Sequence, residues 1–513
     1  MCFARMLLLL VLSARAPLAL GLEHSRHVVV VVWDGMRPDF ISRQNTPTLY
    51  SLAQQGVFFT NHHAAFPSST EVNATVLATG CYPEHNGIVG NEEYRPAVDP
   101  LRALRSDAPE LVREEDALTG QRYVERPTLP EIIQRAGGHT VVAGAKPVVL
   151  LADRTPRNFA DRGIAVFGGV TLPPGFLGAI TNYCGRFPVS NETNSLRDDW
   201  TTAALTGVLW AERVPEFSLL WMNQPDFAQH TMGPGSPAVL ACLRDLDRNL
   251  AQVLAALDAK GVRDSTDILV LSDHGFSTIS AKVDLAKDLQ NAGFKASRGF
   301  PAEPQPGEIL VVSNGATSFL YIIGHIDSLA RQVVRFLQHW PFAGVICTRE
   351  PMAGTFTLRQ AHVQSAKAPD VLVSLRWTPG LSTNGTPGLV ACDTGYGPGQ
   401  GTHGSFSPFE MHNFMVAAGP DFRGGMIDPL PSSNLDVAPT VLRLLGIKPP
   451  PAIEGRVLNE ALLSARKPGQ RPKRHHLEAK APLAGTVWHQ YLDILKFDGV
   501  AYFEQGNGLL RAD

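Results

Sequence analysis

His27-Val28-Val29-Val30-Val31-Val32-Trp33-Asp34-Gly35 is the stretch whose reading decides the fold. Five β-branched residues in a row favour an extended chain. A run that is apolar at every position, and not at every second one, belongs to a strand buried on both faces, as in parallel sheets covered by helices. Working outward, Thr46-Pro47 supplies a cap and a first-turn proline for a helix that Gly56 closes. A second helix opens near Thr128, ends at Gly137-Gly138 and feeds the strand-like His139 to Ala143. Glu216 to Met222 (EFSLLWM) and Asp267 to Ser272 (DILVLS) read as further buried strands, with one long helical period from Ser236 to Lys260 between them. Asn413 to Ala417 is a short late strand, and Asn434 to Leu445 a helix closed by Gly446. The alternation predicts an α/β fold with a central, mostly parallel sheet and helices on both faces.

The 513 residues are 44% hydrophobic and 18% charged, the composition of an ordinary globular chain. A formal charge of −3 lacks the basic excess that a nucleic-acid duplex or an anionic membrane surface attracts. Arg5, the apolar run Met6 to Leu12 and the small-residue site Ala19-x-Gly21 read as a signal peptide over residues 1–21 and predict export to a periplasm or beyond. That run is shorter than the ~20 apolar residues of a membrane span, and no later stretch is long and apolar enough to be one. Removal of Cys2 with the signal leaves Cys81, Cys184, Cys242, Cys347 and Cys392. That odd number leaves at least one thiol unpaired in a monomer, allows one or two disulfides, and contains no CxxC pair for a metal. The catalytic domain is expected over residues 22–464, with residues 277–395 inserted as a cap subdomain. Residues 465–482 (ARKPGQRPKRHHLEAKAP) read as a basic, solvated linker and residues 483–513 as a β-hairpin.

Three strands run into an aspartate. HVVVVVW leads to Asp34, EFSLLWMNQP to Asp226, and DILVLS to Asp273. One aspartate after a strand is an ordinary turn former. Three on the carboxyl edge of an α/β sheet, where ligands bind, repel one another unless cations lie between them. His274 follows Asp273, His230 lies one helical turn beyond Asp226, and His403 sits in the glycine-rich TGYGPGQGTHG. Carboxylates and imidazoles in this number suit zinc. In FPSSTEVNATVLATG, Phe66 to Gly80, the hydroxyls of Ser68, Ser69 and Thr70 precede a helical pattern, so one of them occupies a helix N-terminus. Asn73, three residues after Thr70, can face the same phosphate and donate to a non-bridging oxygen. Asn73-Ala74-Thr75, Asn191-Glu192-Thr193 and Asn384-Gly385-Thr386 fit the glycosylation sequon. A glycan on Asn73 would block the site, so that sequon is expected to go unused. His62, His63 and His412 match no ligand role and read as ordinary polar residues.

WDGMRPD, NTPTLYSLAQQGVFF, STEVNATVLATGCYPEHNGIVGN, QPDFAQHTMGP, SDHGF and GTHGSF follow one another across residues 28–450. In this order they resemble the alkaline-phosphatase superfamily and, within it, the type I phosphodiesterase/nucleotide pyrophosphatase group. The resemblance implies an alkaline-phosphatase-like sheet and a phosphothreonine formed on Thr70, with Asn73 as the phosphate-binding amide. It implies two divalent metal ions, zinc above all, one held by Asp34, Thr70, Asp273 and His274, the other by Asp226, His230 and His403. The expected substrate is a small phosphate diester or a nucleotide phosphoanhydride, its leaving group lodged in residues 150–200 and 277–395. The chain departs from the family where T-F-P-N is usual: it has Thr70-Glu71-Val72-Asn73, with Phe66-Pro67 moved upstream. Ser69 begins no C/S-x-P-x-R motif, which argues against the sulfatase branch. Lys146 stands where phosphomonoesterase and phosphonoacetate-hydrolase members resemble each other in carrying a lysine, but Val148 replaces their second cation. Lys146 therefore reads either as a phosphate contact or as a solvated loop residue. Two rivals follow: a phosphomonoesterase or phosphonate hydrolase on the same site, and a catalytically inactive secreted binding module.

Overall fold

His27–Trp33 (β1) lies at the centre of a ten-stranded mixed sheet. A computed structural model of the protein describes residues 26–154, 162–190, 193–465 and 470–512. The expected signal peptide lies outside the described residues, as do Asn191 and Glu192 of the second sequon. The other main strands are Val57–His63 (β2), Thr140–Gly144 (β3), Gly163–Phe167 (β4), Val170–Leu172 (β5), Phe217–Met222 (β6), Thr266–Leu271 (β7), His412–Ala418 (β8) and Met426–Asp428 (β9). Their spatial order is β9-β2-β8-β7-β1-β6-β3-β4-β5. Strands β7, β1, β6, β3 and β4 are mutually parallel, whereas β8 runs antiparallel to both β7 and β2.

The uninterrupted valine run does what a doubly covered strand requires. Val28, Val30 and Val32 enter one hydrophobic cluster, and Val29, Val31 and Trp33 enter another on the opposite face. The first is covered by Thr70–Thr79 (α2), Leu129–Arg135 (α3) and Val437–Leu444 (α6), the second by Pro47–Gln55 (α1) and the long Pro237–Ala259 (α5). Burying each such valine contributes ~1.5–3 kcal/mol, so β1 alone is a substantial part of the core. Thr128 and Glu131 form the reciprocal cap that starts α3, and the Ser236 hydroxyl accepts from the Val239 N–H at the start of α5.

Residues 277–402 carry two further sheets. One has six strands and includes Ile309–Ser313, Thr317–Ile322, Ala343–Thr348 and Val371–Leu375. The other has four, and its strand Gly401–Thr402 leads directly into His403. The linker expected over 465–482 is corrected in its second half: Lys473–Leu483 (β10) pairs along its whole length with Thr486–Phe497 (β11), which pairs with Val500–Ala512 (β12). The tail is thus a three-stranded antiparallel sheet, not a hairpin. Lys473, Arg474, His476 and Lys480 in β10 are exposed while Ala481 is buried, so the charge that reads as a solvated linker is the exposed part of a strand. All five cysteines of the described residues are unpaired, and four of them are buried. No helix among the described residues is long and apolar enough to cross a membrane.

Candidate active site

Four neighbouring parallel strands deliver charged side chains to one edge. Asp273 follows β7, Asp34 follows β1, Asp226 follows β6, and Lys146 follows β3. Asp226 also begins a short helix, Asp226–Met232 (α4), which places His230 one turn later beside it, with Nε2 3.4 Å from Asp226 Oδ1. His403 comes to the same carboxylate oxygen at 3.5 Å. On the other side, His274 Nε2 lies 3.4 Å from Asp273 Oδ2 and 3.7 Å from Asp34 Oδ1. The two groups touch through the stacked rings of His274 and His403, 3.8 Å between centroids.

The backbone decides which nitrogens face the carboxylates. His274 Nδ1 donates to Gly275 O at 2.8 Å, His230 Nδ1 to Gly401 O at 2.9 Å, and His403 Nδ1 to Ser68 O at 2.9 Å. A carbonyl oxygen only accepts, so each Nδ1 carries a proton and turns Nε2 to a carboxylate; in His274 and His403, which burial keeps neutral, that Nε2 is bare. Lone pair against lone pair at this distance is repulsive. Asp226 Oδ1 and Asp273 Oδ2 are buried without a hydrogen-bond partner. Two such sets, Asp34-Asp273-His274 and Asp226-His230-His403, each bring their donor atoms within 4.8 Å of one another. The residues therefore fit divalent cations of the zinc type, with the carbonyl-anchored Nδ1 positions that metal-bound histidines use.

Close backbone approach makes this possible. Gly35 has φ +70°, and a Cβ there would lie 3.0 Å from the Phe276 ring and 3.2 Å from Asp226 Cα. Its N–H donates to Asp273 Oδ1 at 2.9 Å and so ties two of the strand ends together. A Cβ on Gly401 would lie 2.6 Å from Gln229 O, which would push away the loop that carries His403.

Thr70 is the first residue of α2, and its Oγ1 lies 3.1 Å from His274 Nε2 and 3.4 Å from Asp34 Oδ1. The other two hydroxyls are not so placed. Ser68 Oγ is held by Ser405 O and Gly404 N, and Ser69 occupies the N-cap position with its hydroxyl buried and making no capping bond. Asn73 requires a correction. Its Nδ2 donates to Ala65 O, Pro67 O and Ser69 O, and its Oδ1 accepts from Ala65 N and Asn434 Nδ2. Three residues along α2 turn its amide back onto the incoming loop, so both its hydrogens are committed and it offers none to a phosphate. It is also fully buried, in line with an unused sequon.

The residue missed is Asn91. Its Oδ1 accepts from the N–H of Glu71, the residue after Thr70, at 3.1 Å, which leaves Nδ2 as a donor beside the helix start. Only its place in the chain, past a turn of unpredictable path, hid it. Arg105 was missed for the same reason and pairs with Glu71 at 2.9 Å. Burial, reinforced by Asp107 and opposed by Arg105, pushes the Glu71 carboxyl up to about 8, so the charge beside Thr70 is weakened near neutral pH.

Lys146 is not a solvated loop residue. Its Nζ lies 2.5 Å from Asp34 Oδ2 and 3.8 Å from Asp226 Oδ2. Burial opposes its charge, but Asp34 and Asp226 outweigh that and hold the ammonium above its ordinary value. Burial raises Asp34 to about 6, and Asp273 well above the usual range. Burial acts on Asp226 in the same sense, yet His230 and Lys146 overcome it and keep this carboxylate well below its usual value. Burial lowers His274 to about 4 and His403 well below its ordinary value, so both rings are neutral. Val148 is turned into the core, which explains why no second cation stands there. His62, His63 and His412 read from sequence as ordinary polar residues; where β2 and β8 pair, His62 and His63 are buried and His412 is half-buried.

The fold is alkaline-phosphatase-like. The type I phosphodiesterase/nucleotide pyrophosphatase family matches residues 28–336, and the chain belongs to that family. An uncharacterized pyrophosphatase/phosphodiesterase of Schizosaccharomyces pombe is 26% identical over 256 residues, 49% of this chain and 45% of its own length. Human ectonucleotide pyrophosphatase/phosphodiesterase family member 5 is 24% identical over 257 residues, 49% of this chain and 45% of its own. Human family member 1 is 22% identical over 463 residues, covering 88% of this chain and 43% of that protein. The matches thus span less than half the length of these relatives. Among solved structures, human ectonucleotide pyrophosphatase/phosphodiesterase 5 superposes with a TM-score of 0.58 at 18% identity, covering 86% of this chain and 100% of that one. An inactive variant of the murine protein, in complex with AMP, gives 0.58 and 18% over 83% of this chain and 96% of that one.

Proposed function

We propose that this protein is a metal-dependent phosphodiesterase or nucleotide pyrophosphatase that cleaves a phosphodiester or phosphoanhydride bond through a phosphothreonine at Thr70. The observation that carries the reading is the position of Thr70 Oγ1 at a helix start, within 3.4 Å of Asp34 and 3.1 Å of a bare His274 nitrogen. Asp34, Thr70, Asp273 and His274 would hold one cation of the zinc type, and Asp226, His230 and His403 a second. When bound, such a pair supplies positive charge at the nucleophilic and departing oxygens.

The chain's own groups do the rest. Helix α2 presents Thr70 with its N-terminal N–H groups facing the substrate, where positive potential favours an anion. Asn91 Nδ2 donates to a non-bridging oxygen without adding a charge, the role that Asn73 cannot fill. Lys146 lies between Asp34 and Asp226 and can turn its ammonium to the phosphoryl group. Attack by Thr70 in line displaces the leaving alcohol or phosphate, and water then releases the phosphoryl group from the opposite side. The AMP held by the murine relative supports a small nucleotide as substrate or product.

Lys146 favours a second reading, a phosphomonoesterase or phosphonate hydrolase on this site. Turnover of a bis-aryl phosphate, an aryl phosphate and phosphonoacetate separates the two, and a monoester rate above the diester rate would sink the diesterase reading. No turnover of any of them by the zinc-loaded protein would favour an inactive binding module. Export is proposed on the strength of Arg5 and the Met6 to Leu12 run. Cell fractionation with N-terminal sequencing tests it, and a cytosolic, uncleaved chain would refute it.

A further inference from the structure

Away from the site already described, one histidine cluster repeats its chemistry. His63 ends β2 and His412 begins β8, and the two residues face each other directly in the antiparallel pair. Their rings are 4.5 Å apart, and His63 is completely buried. Glu504 reaches them from β12, more than 90 residues further along the chain. Its position there is that of an extra residue: Gln505 pairs with Asp493 and Phe503 with Ile494, so Glu504 is the bulge of the β11–β12 ladder. A bulge re-aims its side chain, here out of the C-terminal sheet and into the main one.

The hydrogen-bond pattern is the one seen at the strand ends. His63 Nδ1 donates to Ser432 O at 3.1 Å, which leaves Nε2 as the nitrogen that faces Glu504. That Nε2 is buried with no hydrogen-bond partner and lies 3.6 Å from Glu504 Oε1. An unpartnered ring nitrogen and a carboxylate oxygen face each other across a gap that suits a shared cation. His412, directly across the strand pair from His63, presents the second imidazole. Arg474 pairs with the other carboxylate oxygen, Glu504 Oε2, at 2.9 Å, which orients the carboxylate and leaves Oε1 turned inward. One donor atom from each of His63, His412 and Glu504 lies within 4.8 Å of the other two.

We propose that His63, His412 and Glu504 bind a further metal ion of the zinc class, which clamps the C-terminal sheet to the edge of the main sheet. Two imidazole nitrogens and one carboxylate oxygen select zinc over calcium or magnesium, which prefer all-oxygen shells. Three protein ligands leave the fourth position to water. The carbonyl-anchored Nδ1 of His63 gives this site the outer-shell support that metal-bound histidines use. The site is separate from the catalytic proposal and stands whether or not that proposal holds.

The test compares the zinc content of the full-length protein with that of His412→Asn and Glu504→Gln after equilibration in zinc-buffered solution. Both variants are expected to hold about one equivalent less than the parent chain, as the loss of a ligand from a three-ligand site requires. The difference carries the test, so the number of ions at the strand ends does not affect it. Equal zinc in all three proteins would overturn the proposal. Anomalous scattering at the zinc edge from crystals of the unaltered protein needs no variant. A peak about 2.0–2.1 Å from a nitrogen of each histidine supports the site. A hydrogen bond between a protonated His63 and Glu504, with no peak, overturns it.

Discussion

Two histidine-carboxylate assemblies lie along the same edge of the main sheet, and they differ in what surrounds them. At the ends of β7, β1 and β6 the imidazoles face carboxylates beside a hydroxyl, an ammonium and a helix N-terminus. At the ends of β2 and β8 the same arrangement is enclosed by a second sheet, with Arg474 the neighbouring cation and Tyr502 packed on His63. The first has groups that can take part in a reaction. The second has groups that can only hold. Imidazole and carboxylate donors therefore do not by themselves mark a catalytic centre. A nucleophile with open approach separates a reactive assembly from one that fastens.

The comparison breaks most readily at Thr70. Thr70→Ala should reduce kcat for a bis-aryl phosphate by on the order of 10^3 or more, because no neighbouring hydroxyl is placed to substitute. Retained turnover would remove the chemical distinction between the two assemblies. Lys146→Met comes next, with a fall in kcat/KM on the order of 10^2 if the ammonium serves the phosphoryl group. It should also destabilise the metal-free protein by ~3–5 kcal/mol, as removal of one partner from a buried ion pair does. Thermal unfolding in the presence of chelator checks this, and an unchanged midpoint would refute the loss of a buried ion pair.

A smaller effect separates the two asparagines. Asn91→Ala should lower kcat/KM about tenfold to a hundredfold, the worth of one hydrogen bond to a charged oxygen. Asn73→Ala should instead cost ~1–3 kcal/mol of stability, read as a shift in denaturant midpoint, because it leaves loop carbonyls unpaired. The reverse pattern would restore Asn73 to the phosphate. Smallest of all, His412→Asn should lower the thermal midpoint by a few degrees, about what 1–2 kcal/mol does in a large domain. No shift at all would mean that the second assembly does not fasten the C-terminal sheet.

Much of the active site was legible because its signals are local. A strand apolar at every position is buried on both faces, and the polar residue that ends it must lie at the sheet's rim. The sequence therefore placed Asp34, Asp226 and Asp273 on one edge without any knowledge of strand order. His230 follows Asp226 within one helical turn, so that pair was legible too. Thr70 was recognisable among three hydroxyls through its resemblance to a family motif, and the geometry then gave the physical reason: Ser68 is hydrogen-bonded elsewhere and the Ser69 hydroxyl is buried away from the cluster.

The tertiary structure decided what depends on how distant segments return to each other. Asn91 and Arg105 reach the start of α2 by loops whose paths the sequence does not encode locally. Asn73 has the right spacing for a phosphate contact, but side-chain direction depends on the carbonyls of the preceding loop, which took its hydrogens. The second half of the basic stretch before the tail became a long strand because β11 was there to pair with it. The assembly of His63, His412 and Glu504 combines a cross-strand pair with a bulge far along the chain. Residue pattern alone determined the layered α/β sheet and its acidic edge, since burial imposes a pattern on each strand separately. Which side chains meet across that edge was settled only by strand order, register and one bulge, because these are properties of pairing and not of any single segment.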